Sequence, residues 1–274
     1  MKTPAFRRGF LFCTSGLVLR NWPMTCRAAA LLLLVTLAAP LRGQPGQTDT
    51  LATGQPSFWN RTWQGTLTAF TAPEMRRYWA ITAVAAVAAS PFDDWATGPD
   101  VRSKLLPAAW ARFGDLWGAP TAALIILPTV AVAEYVRGSN GPVIRERMTL
   151  VASSLVAVGL MTVIIKELTR RTRPNGTDHR SFPSGHTSIS FGVAEVVREL
   201  YGNLAGLPFY LLAVNTGLSR IHDNKHYPSD VVAGAGLGIG LVRSFRLSGR
   251  SRHGLALSWQ PVPGGALLQV TFRQ

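Results

Sequence analysis

Three short clusters in the second half of the chain have the residue types and spacing needed for phosphate chemistry. They are Lys166 with Arg173 and Pro174, then residues 183–186 (Pro-Ser-Gly-His), then Ser219 and Arg220 with His226 and Asp230. Together they supply three cations, two imidazoles, one carboxylate and a Ser-Gly turn with free backbone N–H groups. These groups suffice to bind a phosphate and to transfer it to an imidazole.

The first cluster supplies two cations next to a proline. Pro174 restricts the preceding residue to an extended conformation, so the backbone holds Arg173 in a defined direction. A guanidinium group binds phosphate through two hydrogen bonds, and the ammonium group of Lys166 adds a point charge. Arg170 and Arg171 are interpreted only as cations favoured at the end of a helix. The cluster alone is a weak indication of an anion site.

The second cluster indicates a helix start that can receive an anion. Ser184 is predicted to cap a helix that runs from Thr187, and Gly185 allows a ligand to approach the backbone. The N–H groups and the dipole of such a helix favour negative charge. A histidine at this point, His186, can donate a proton to a leaving oxygen.

The third cluster places an imidazole beside a carboxylate. Ser229 is predicted to cap the helix that carries Asp230, four residues after His226. The carboxylate can accept a hydrogen bond from one ring nitrogen, which leaves the other nitrogen as an oriented nucleophile. His222 and His226 also have the i,i+4 spacing of metal ligands, but no third ligand lies nearby in the sequence, so no metal is expected.

The three clusters together resemble the signature of the type 2 phosphatidic acid phosphatase superfamily, which includes bacterial acid phosphatases and vanadium haloperoxidases. The resemblance covers about residues 75–245, and every signature position is present. It implies that His226 forms a phosphohistidine, that Asp230 orients it, and that His186 protonates the leaving group. The groups that it implies for phosphate binding are Lys166, Arg173, Ser184, Gly185 and Arg220.

The expected activity is therefore the metal-independent hydrolysis of phosphate monoesters or diphosphates, with a lipid-linked substrate favoured and no cofactor required. Three alternatives remain open at this point: a vanadate-dependent haloperoxidase with vanadate as cofactor in the same pocket, a soluble exported non-specific acid phosphatase, and a non-catalytic membrane scaffold. The substrate is not identified, because phosphatidic acid, phosphatidylglycerol phosphate, undecaprenyl diphosphate and lipid A phosphates present the same headgroup chemistry.

The composition favours a protein associated with a membrane. Hydrophobic residues make up 47% of the 274 residues and charged residues 15%, and the mean hydropathy is +0.17. This composition is more apolar than that of a typical soluble protein and less apolar than that of a protein fully embedded in a membrane. The net charge of +14 comes mostly from arginines beside apolar runs, which is typical of cytoplasmic flanks or contacts with anionic lipids. No nucleic-acid-binding pattern is present.

Four regions are predicted along the chain. Residues 1–43 form a leader whose apolar run, 28–39, has the length of a signal peptide with a cut after Gly43, or else an uncleaved anchor. Met24 is an alternative start, and the two cysteines, Cys13 and Cys26, lie in this leader. The regions that follow are a linker and amphipathic helix at 44–74, the phosphatase bundle at 75–245, and a basic segment with a β-hairpin at 246–274.

The fold is predicted to be all-α, with a bundle of about six helices. After a helix at 58–76, apolar helical segments are expected at about 77–90, 117–136, 148–165, 187–200, 207–218 and 229–243. Glycines 234, 236, 238 and 240 are expected to allow close packing of the last helix.

The distribution of arginines predicts the orientation of this bundle. If all six segments span a bilayer, the basic residues lie on one side and the three clusters on the other, which predicts a periplasm-facing site in a bacterial-type inner membrane. A cleaved signal peptide would instead put residues 44–76 outside. Either the leader stays, or residues 77–90 do not cross, or the bundle is soluble and exported to the periplasm.

Overall fold

The computed structural model describes residues 57–118, 120–250, 254–262 and 265–273. The predicted leader, its signal peptide and nearly all of the linker that follows lie outside the described residues.

Ten α-helices form the described part of the chain up to residue 250. They are α1 Phe58–Thr71, α2 Pro73–Ala89, α3 Asp93–Thr97, α4 Pro99–Arg102, α5 Ala108–Gly118, α6 Pro120–Val136, α7 Gly141–Thr169, α8 Gly185–Tyr201, α9 Asn203–His222 and α10 Pro228–Arg250. A single 3-10 turn, Ser90–Phe92, joins α2 to α3. The all-α class is confirmed. The count of about six helices is wrong, because eight of these ten helices have eleven residues or more.

Two local features distinguish the observed helices from the predicted ones. Pro73 has no backbone N–H, so the predicted helix at 58–76 ends at Thr71, and α2 starts with the proline in its first turn. The stretch 91–116, for which no helix was predicted, contains α3, α4 and most of α5. Phe113 and Trp117 of α5 are buried in the core, so this helix belongs to the bundle rather than to a surface loop.

Helix α8 lies at the centre of the bundle, in contact with α5, α6, α7, α9 and α10. Its Val193, Ala194 and Val197 are fully buried, and Phe209 of α9 and Leu241 of α10 pack into the same core. This central position matters for function because α8 begins with the Ser-Gly-His cluster.

Glycines bring α10 against its neighbours. A Cβ atom at Gly234 would lie 2.6 Å from the carbonyl oxygen of Ser184, and one at Gly238 would lie 2.2 Å from that of Ser188, so both face the backbone of α8. Gly236 and Gly240 face α2 in the same way, with added Cβ atoms 2.1 and 2.5 Å from its side chains. The predicted close packing is confirmed, and it joins the starts of α8 and α10.

The two ends of the bundle differ in chemistry. The site end is where α7 and α9 finish and α8 and α10 begin. The arginine end is the opposite one, defined by Arg137, Arg147, Arg198, Arg243 and Arg246. There, buried Glu134 pairs with Arg147, and buried Glu195 accepts hydrogen bonds from Arg198 at 2.6 and 2.8 Å and from Arg243 at 2.7 Å.

Two of the described helices are long and apolar enough to cross a membrane, Gly141–Thr169 and Pro228–Gly249. Helices α5 and α6, bent by 69°, meet the same test as a pair. After the bundle, strands β1 Gly254–Val262 and β2 Gly265–Arg273 pair antiparallel, with Gly254 opposite Arg273. The hairpin expected here, whose turn at 263 and 264 lies outside the described residues, stays a prediction.

Candidate active site

The three sequence clusters meet at the site end. Lys166 lies in the last turn of α7, and Arg220 lies in the last turn of α9. Ser184 directly precedes α8, and Asp230 is in the first turn of α10. The eight predicted site residues thus come from two helix ends, two helix starts and the loops between them.

His226 lies in the loop between α9 and α10, where it is almost fully buried. Its Nδ1 atom is 3.6 Å from Oδ2 of Asp230 and has no hydrogen-bond partner among the described residues. This separation is slightly too long for a hydrogen bond, although the carboxylate faces the ring nitrogen as the sequence predicted. Catalytic hydrogen bonds are often long in ligand-free proteins and shorten when substrate binds.

The carboxylate of Asp230 is held in place by donors on both of its oxygens. Oδ2 accepts hydrogen bonds from the hydroxyl of Ser181 at 2.5 Å and from the backbone N–H of Tyr227 at 2.9 Å. Oδ1 accepts from Arg171 at 2.8 Å. Because Asp230 is completely buried, these charge-assisted bonds fix its orientation towards His226.

Lys166 at the end of α7 and Arg173 in the loop after it both contact the segment 170–184. Nζ of Lys166 donates to the carbonyl oxygens of Arg180 at 2.5 Å and Ser181 at 3.4 Å. Nε of Arg173 donates to Asp178 at 2.7 Å. Both cations are therefore held by this segment, and each retains N–H groups that can donate to a phosphate.

Arg220 and His186 meet at a carboxylate that the sequence did not single out, Asp115 of α5. Oδ1 of Asp115 lies 2.5 Å from Nη1 of the buried Arg220, 3.5 Å from Nε2 of His186 and 3.7 Å from Nζ of Lys225. Asp223 also pairs with Arg220, at 2.9 Å. The carboxylate of Asp115 therefore lies beside one predicted phosphate-binding cation, Arg220, and beside the predicted proton donor, His186. Nothing in its local sequence distinguishes it from another surface carboxylate.

Ser184 and Gly185 form the start of α8, but the serine does not cap it as predicted. The hydroxyl of Ser184 accepts a hydrogen bond from Thr187 at 2.8 Å, and no side-chain cap is formed. An added Cβ atom at Gly185 would find only ordinary contacts, the nearest at 3.4 Å. Packing therefore does not require a glycine here, which leaves the approach of a ligand to the backbone N–H as the reason for it.

Two further residues, Arg171 and Asp93, belong to the site, although the sequence did not place them there. Arg171 was interpreted as a helix-end cation, yet α7 ends before it, and its guanidinium binds Asp93 at 2.7 Å as well as Asp230. Asp93 also accepts from the N–H of Ser229 at 3.0 Å and from its hydroxyl at 2.7 Å. Ser229, predicted to cap α10, therefore uses its hydroxyl for Asp93. These contacts join residues up to 136 positions apart, and no local pattern indicates them.

The surroundings of both histidines lower their pKa values and so favour the neutral form. Burial lowers the pKa of His226 to about 4, and the positive charges of Lys166 and Arg173 act in the same direction, while Asp230 opposes them. Burial and then Arg220 lower the pKa of His186 to about 4, while Asp115 opposes them. A neutral His226 has the free lone pair that a nucleophile needs.

A metal site is not formed by the part of the chain that the structure describes. No group of three or more His, Cys, Asp or Glu residues there is placed to hold a metal ion. Nδ1 of His222 lies 2.9 Å from the carbonyl oxygen of Arg102, so this ring is engaged with the backbone rather than with His226. That the reaction needs neither metal nor cofactor stays a prediction.

The chain is similar to known phosphatases. The lipid A 1-phosphatase of Porphyromonas gingivalis is 43% identical over 72 residues, which is 25% of this chain and 16% of that protein. The decaprenylphosphoryl-5-phosphoribose phosphatase of Mycobacterium tuberculosis is 35% identical over 120 residues, 39% of this chain and 65% of that protein. The matches thus span less than two thirds of either relative.

A solved structure and a family model complete the comparison. The structure, a transmembrane PAP2-type phosphatidylglycerolphosphate phosphatase from Bacillus subtilis, aligns with a TM-score of 0.43 and 18% identity over 71% of this chain and 94% of that one. The PAP2 superfamily model matches residues 147–252, which include all three clusters. The family that the three clusters resemble is therefore the family whose model matches this part of the chain, residues 147–252.

Proposed function

We propose that this protein hydrolyses phosphate monoesters or diphosphates carried by lipids, without a metal, through a phosphohistidine on His226. The observation that carries the proposal is the buried imidazole of His226 beside Asp230, in surroundings that lower its pKa, with Lys166, Arg173 and Arg220 at the same end of the bundle. The relatives whose names specify lipid-linked phosphates support the choice of substrate class.

In the first step, the lone pair on Nε2 of His226 forms a bond to phosphorus while the bond from phosphorus to the lipid oxygen breaks. His186 gives its proton to the departing oxygen. His186 must be charged for this step, and a bound phosphate dianion favours the charged form because an opposite charge raises the pKa of an imidazole. The three cations stabilise the negative charge on the transferring phosphoryl oxygens.

In the second step, a water molecule attacks phosphorus and passes its proton to the now neutral His186. The bond from phosphorus to Nε2 breaks, which releases inorganic phosphate and restores His226. Asp230 accepts from Nδ1–H throughout, so that the lone pair remains on Nε2 and the imidazolium formed during bond cleavage is stabilised.

The location of the site follows from the same proposal. The site end and the arginine end lie at opposite ends of α7 and α10, the two helices long enough to span a bilayer. We therefore place the arginine end on the cytoplasmic side and the site on the outer, periplasmic side, because basic residues are enriched on the cytoplasmic flanks of spans.

The test is phosphate release by the purified full-length protein in detergent, with a chelator present. Substrates are phosphatidic acid, phosphatidylglycerol phosphate, undecaprenyl diphosphate, a lipid A phosphate and p-nitrophenyl phosphate. We expect turnover of at least one lipid, a loss of at least about a thousandfold in His226→Ala, and no comparable loss in His179→Ala, which changes an exposed histidine. With radiolabelled substrate and an alkaline quench, the wild type is expected to retain label and His226→Ala none.

Two results would overturn the proposal. Full hydrolysis by His226→Ala would show that His226 is not the nucleophile. Oxidation of bromide in the presence of vanadate and peroxide, without phosphate release from any substrate of the panel, would assign the pocket to haloperoxidase chemistry instead.

A further inference from the structure

Helix α1 carries its large aromatic side chains on the face that points away from the protein. Trp59, Trp63 and Phe70 are 56%, 49% and 56% exposed. Their spacing of four and seven residues puts them on one face of the helix. We call these three residues the aromatic stripe.

The face of α1 that packs on the bundle is small and polar. Thr62, Gly65 and Ala69 are buried there, and an added Cβ atom at Gly65 would lie 2.5 Å from the ring of Phe245. The helix is therefore inverted relative to an ordinary surface helix, which buries its apolar side. Its exposed aromatic side requires an apolar environment outside the protein.

The contacts of α1 place it at the arginine end. The hydroxyl of Ser244 donates to the carbonyl oxygen of Gly65 at 2.8 Å, and Arg61 pairs with Glu146 at 3.6 Å. Along α10, Ser244 is about 21 Å from Asp230, and along α7, Glu146 is about 30 Å from Lys166, at 1.5 Å per residue. The hydrocarbon core of a bilayer is about 30 Å thick, so the stripe lies about one such thickness from the site.

Positive charge lies close to the stripe. Arg76 and Arg77 follow α1 at the start of α2, and Arg145 lies beside Glu146 at the start of α7, and all three arginines are exposed. Tryptophan is enriched at the boundary between lipid and water, and exposed arginines there attract anionic headgroups. Both features are found together where α7 and α10, the candidate spans, have their arginine-end termini.

We propose that the aromatic stripe lies in the interfacial layer of the anionic leaflet opposite the site, with Arg76, Arg77 and Arg145 against its headgroups. The occupant of this surface is the lipid bilayer, and α1 acts as an interfacial anchor parallel to the membrane. The inference rests on the membrane location in the proposed function, but it does not depend on phosphatase chemistry.

Spin-label accessibility in vesicles of phosphatidylglycerol and phosphatidylcholine tests this. In a Cys13→Ser, Cys26→Ser background, a nitroxide is attached to Trp63→Cys, Leu160→Cys or Thr177→Cys. We expect the nitroxide at position 63 to be relaxed more strongly by oxygen than by a water-soluble nickel complex. The ratio of the two effects should correspond to a depth of about 5–10 Å in the bilayer. The label at 160, on the exposed face of α7, should lie deeper, and that at 177 should be in water.

The three labels separate the possible failures. A water-exposed label at 63 with a lipid-exposed label at 160 would overturn the anchor while leaving the membrane location intact. Water exposure at both positions would overturn the membrane location itself. Dipolar broadening between labels at 63 in neighbouring molecules would assign the stripe to a second copy of this chain. As a charge test, Arg76→Gln with Arg77→Gln should move the label at 63 closer to the water, whereas Arg112→Gln, at another exposed arginine, should not.

A second inference comes from independent observations, the contacts between Asp93, Arg171 and Asp230. Arg171 bridges the two carboxylates at 2.7 and 2.8 Å, its guanidinium lies 4.1 Å from the ring centroid of Tyr227, and both carboxylates are buried. Asp93 receives the backbone N–H at the start of α10 through Ser229. These contacts involve Asp230 and Tyr227 but not His226 itself.

We infer that Asp93 and Arg171 are positioning residues for the His226–Asp230 pair. Arg171 holds Oδ1 of Asp230, which leaves Oδ2 facing the imidazole, and Asp93 holds both Arg171 and the helix start that carries Asp230. The segment 90–107 is thereby coupled to the nucleophile.

Steady-state kinetics of Asp93→Asn, Arg171→Gln and Arg171→Lys test the assignment, with Arg170→Gln as the control because Arg170 is the adjacent, exposed arginine. We expect kcat to fall about 10- to 100-fold in the first two with KM changed less than about threefold, and partial recovery in Arg171→Lys. The acid limb of kcat/KM should move to higher pH in Arg171→Gln, since Asp230 loses a competing cation and stabilises imidazolium more strongly. Lower thermal stability with an unchanged pH profile and unchanged kcat in the folded fraction would overturn the role.

Discussion

His226 is held in an environment that disfavours its charged form, and this has a measurable consequence. Burial lowers its pKa to about 4, against about 6.5 for a free imidazole. As the pH falls, Nε2 is protonated and loses its lone pair only near that lowered value. We expect the acid limb of kcat/KM, corrected for the second ionisation of the substrate, near pH 4 to 5. An acid limb at about 6.5 would contradict the burial of the free nucleophile.

Asp115 lies where an incoming phosphate has to compete with it. Replacing it in Asp115→Asn removes one negative charge next to Arg220, Lys225 and His186. We expect the inhibition constant of inorganic phosphate to fall about three- to tenfold, because the cations no longer have that counterion. Inhibition assays against p-nitrophenyl phosphate measure this, and Asp100→Asn, an exposed carboxylate outside the pocket, serves as the control. An unchanged constant in Asp115→Asn would show that this carboxylate does not compete.

The sequence predicted the proposed catalytic residues more completely than the residues that contact them. His226 and Asp230 are four positions apart, so their spacing alone indicated contact. Asp115, by contrast, reaches Arg220 across more than a hundred positions, and Asp93 reaches Ser229 across 136. Such contacts depend on how α3 and α5 pack on the bundle. This packing leaves no local periodic pattern that could be recognised in a single sequence.

Helices α8 and α10 meet through glycines, and the alignment of their first residues depends on that contact. In Gly238→Ala, the new Cβ atom would lie 2.2 Å from a backbone oxygen of α8, so the helices must move apart. We expect a loss of stability of about 1–3 kcal/mol and reduced turnover, measured by thermal inactivation and phosphate release. Gly159→Ala on α7, where an added Cβ atom meets nothing within 4 Å, is the matched control. Equal behaviour of the two variants would contradict the close-packing argument.

The helical class was predictable because apolar periodicity is strong along residues 117–243, whereas the helix count was not. The break between α1 and α2 was expected at residue 76 but lies at Pro73, which has no backbone N–H to continue α1. No helix was predicted for the stretch 91–116, which contains α3, α4 and most of α5. Helix α5 is short and rich in Trp and Gly, and burial of Phe113 and Trp117 against the bundle stabilises it.

At the scale of the whole molecule, two helices set the distance between the site and the arginine end. Helices α7 and α10 each run from a predicted site residue, Lys166 or Asp230, at one end to arginines at the other. The arginine distribution, the aromatic stripe and the candidate spans are therefore all arranged along one direction, the common direction of α7 and α10. The sequence predicted the charge asymmetry along that axis, but the inverted face of α1 required the packing of Gly65 against Phe245.

Under the proposed function, a lipid substrate would meet the site without leaving its leaflet, because the site lies at the end of the bundle, about one hydrocarbon thickness from α1. Encounter is then a two-dimensional search, and the relevant concentration is the mole fraction in the surface. At a fixed bulk amount of substrate, we expect the rate to fall as inert lipid is added, roughly in proportion to the dilution once the mole fraction is below saturation. Vesicles of constant substrate content and increasing phosphatidylcholine measure this, and a rate set by bulk concentration alone would place the reaction in solution. A membrane can therefore regulate this reaction through its lateral composition, with no change in the amount of enzyme or substrate.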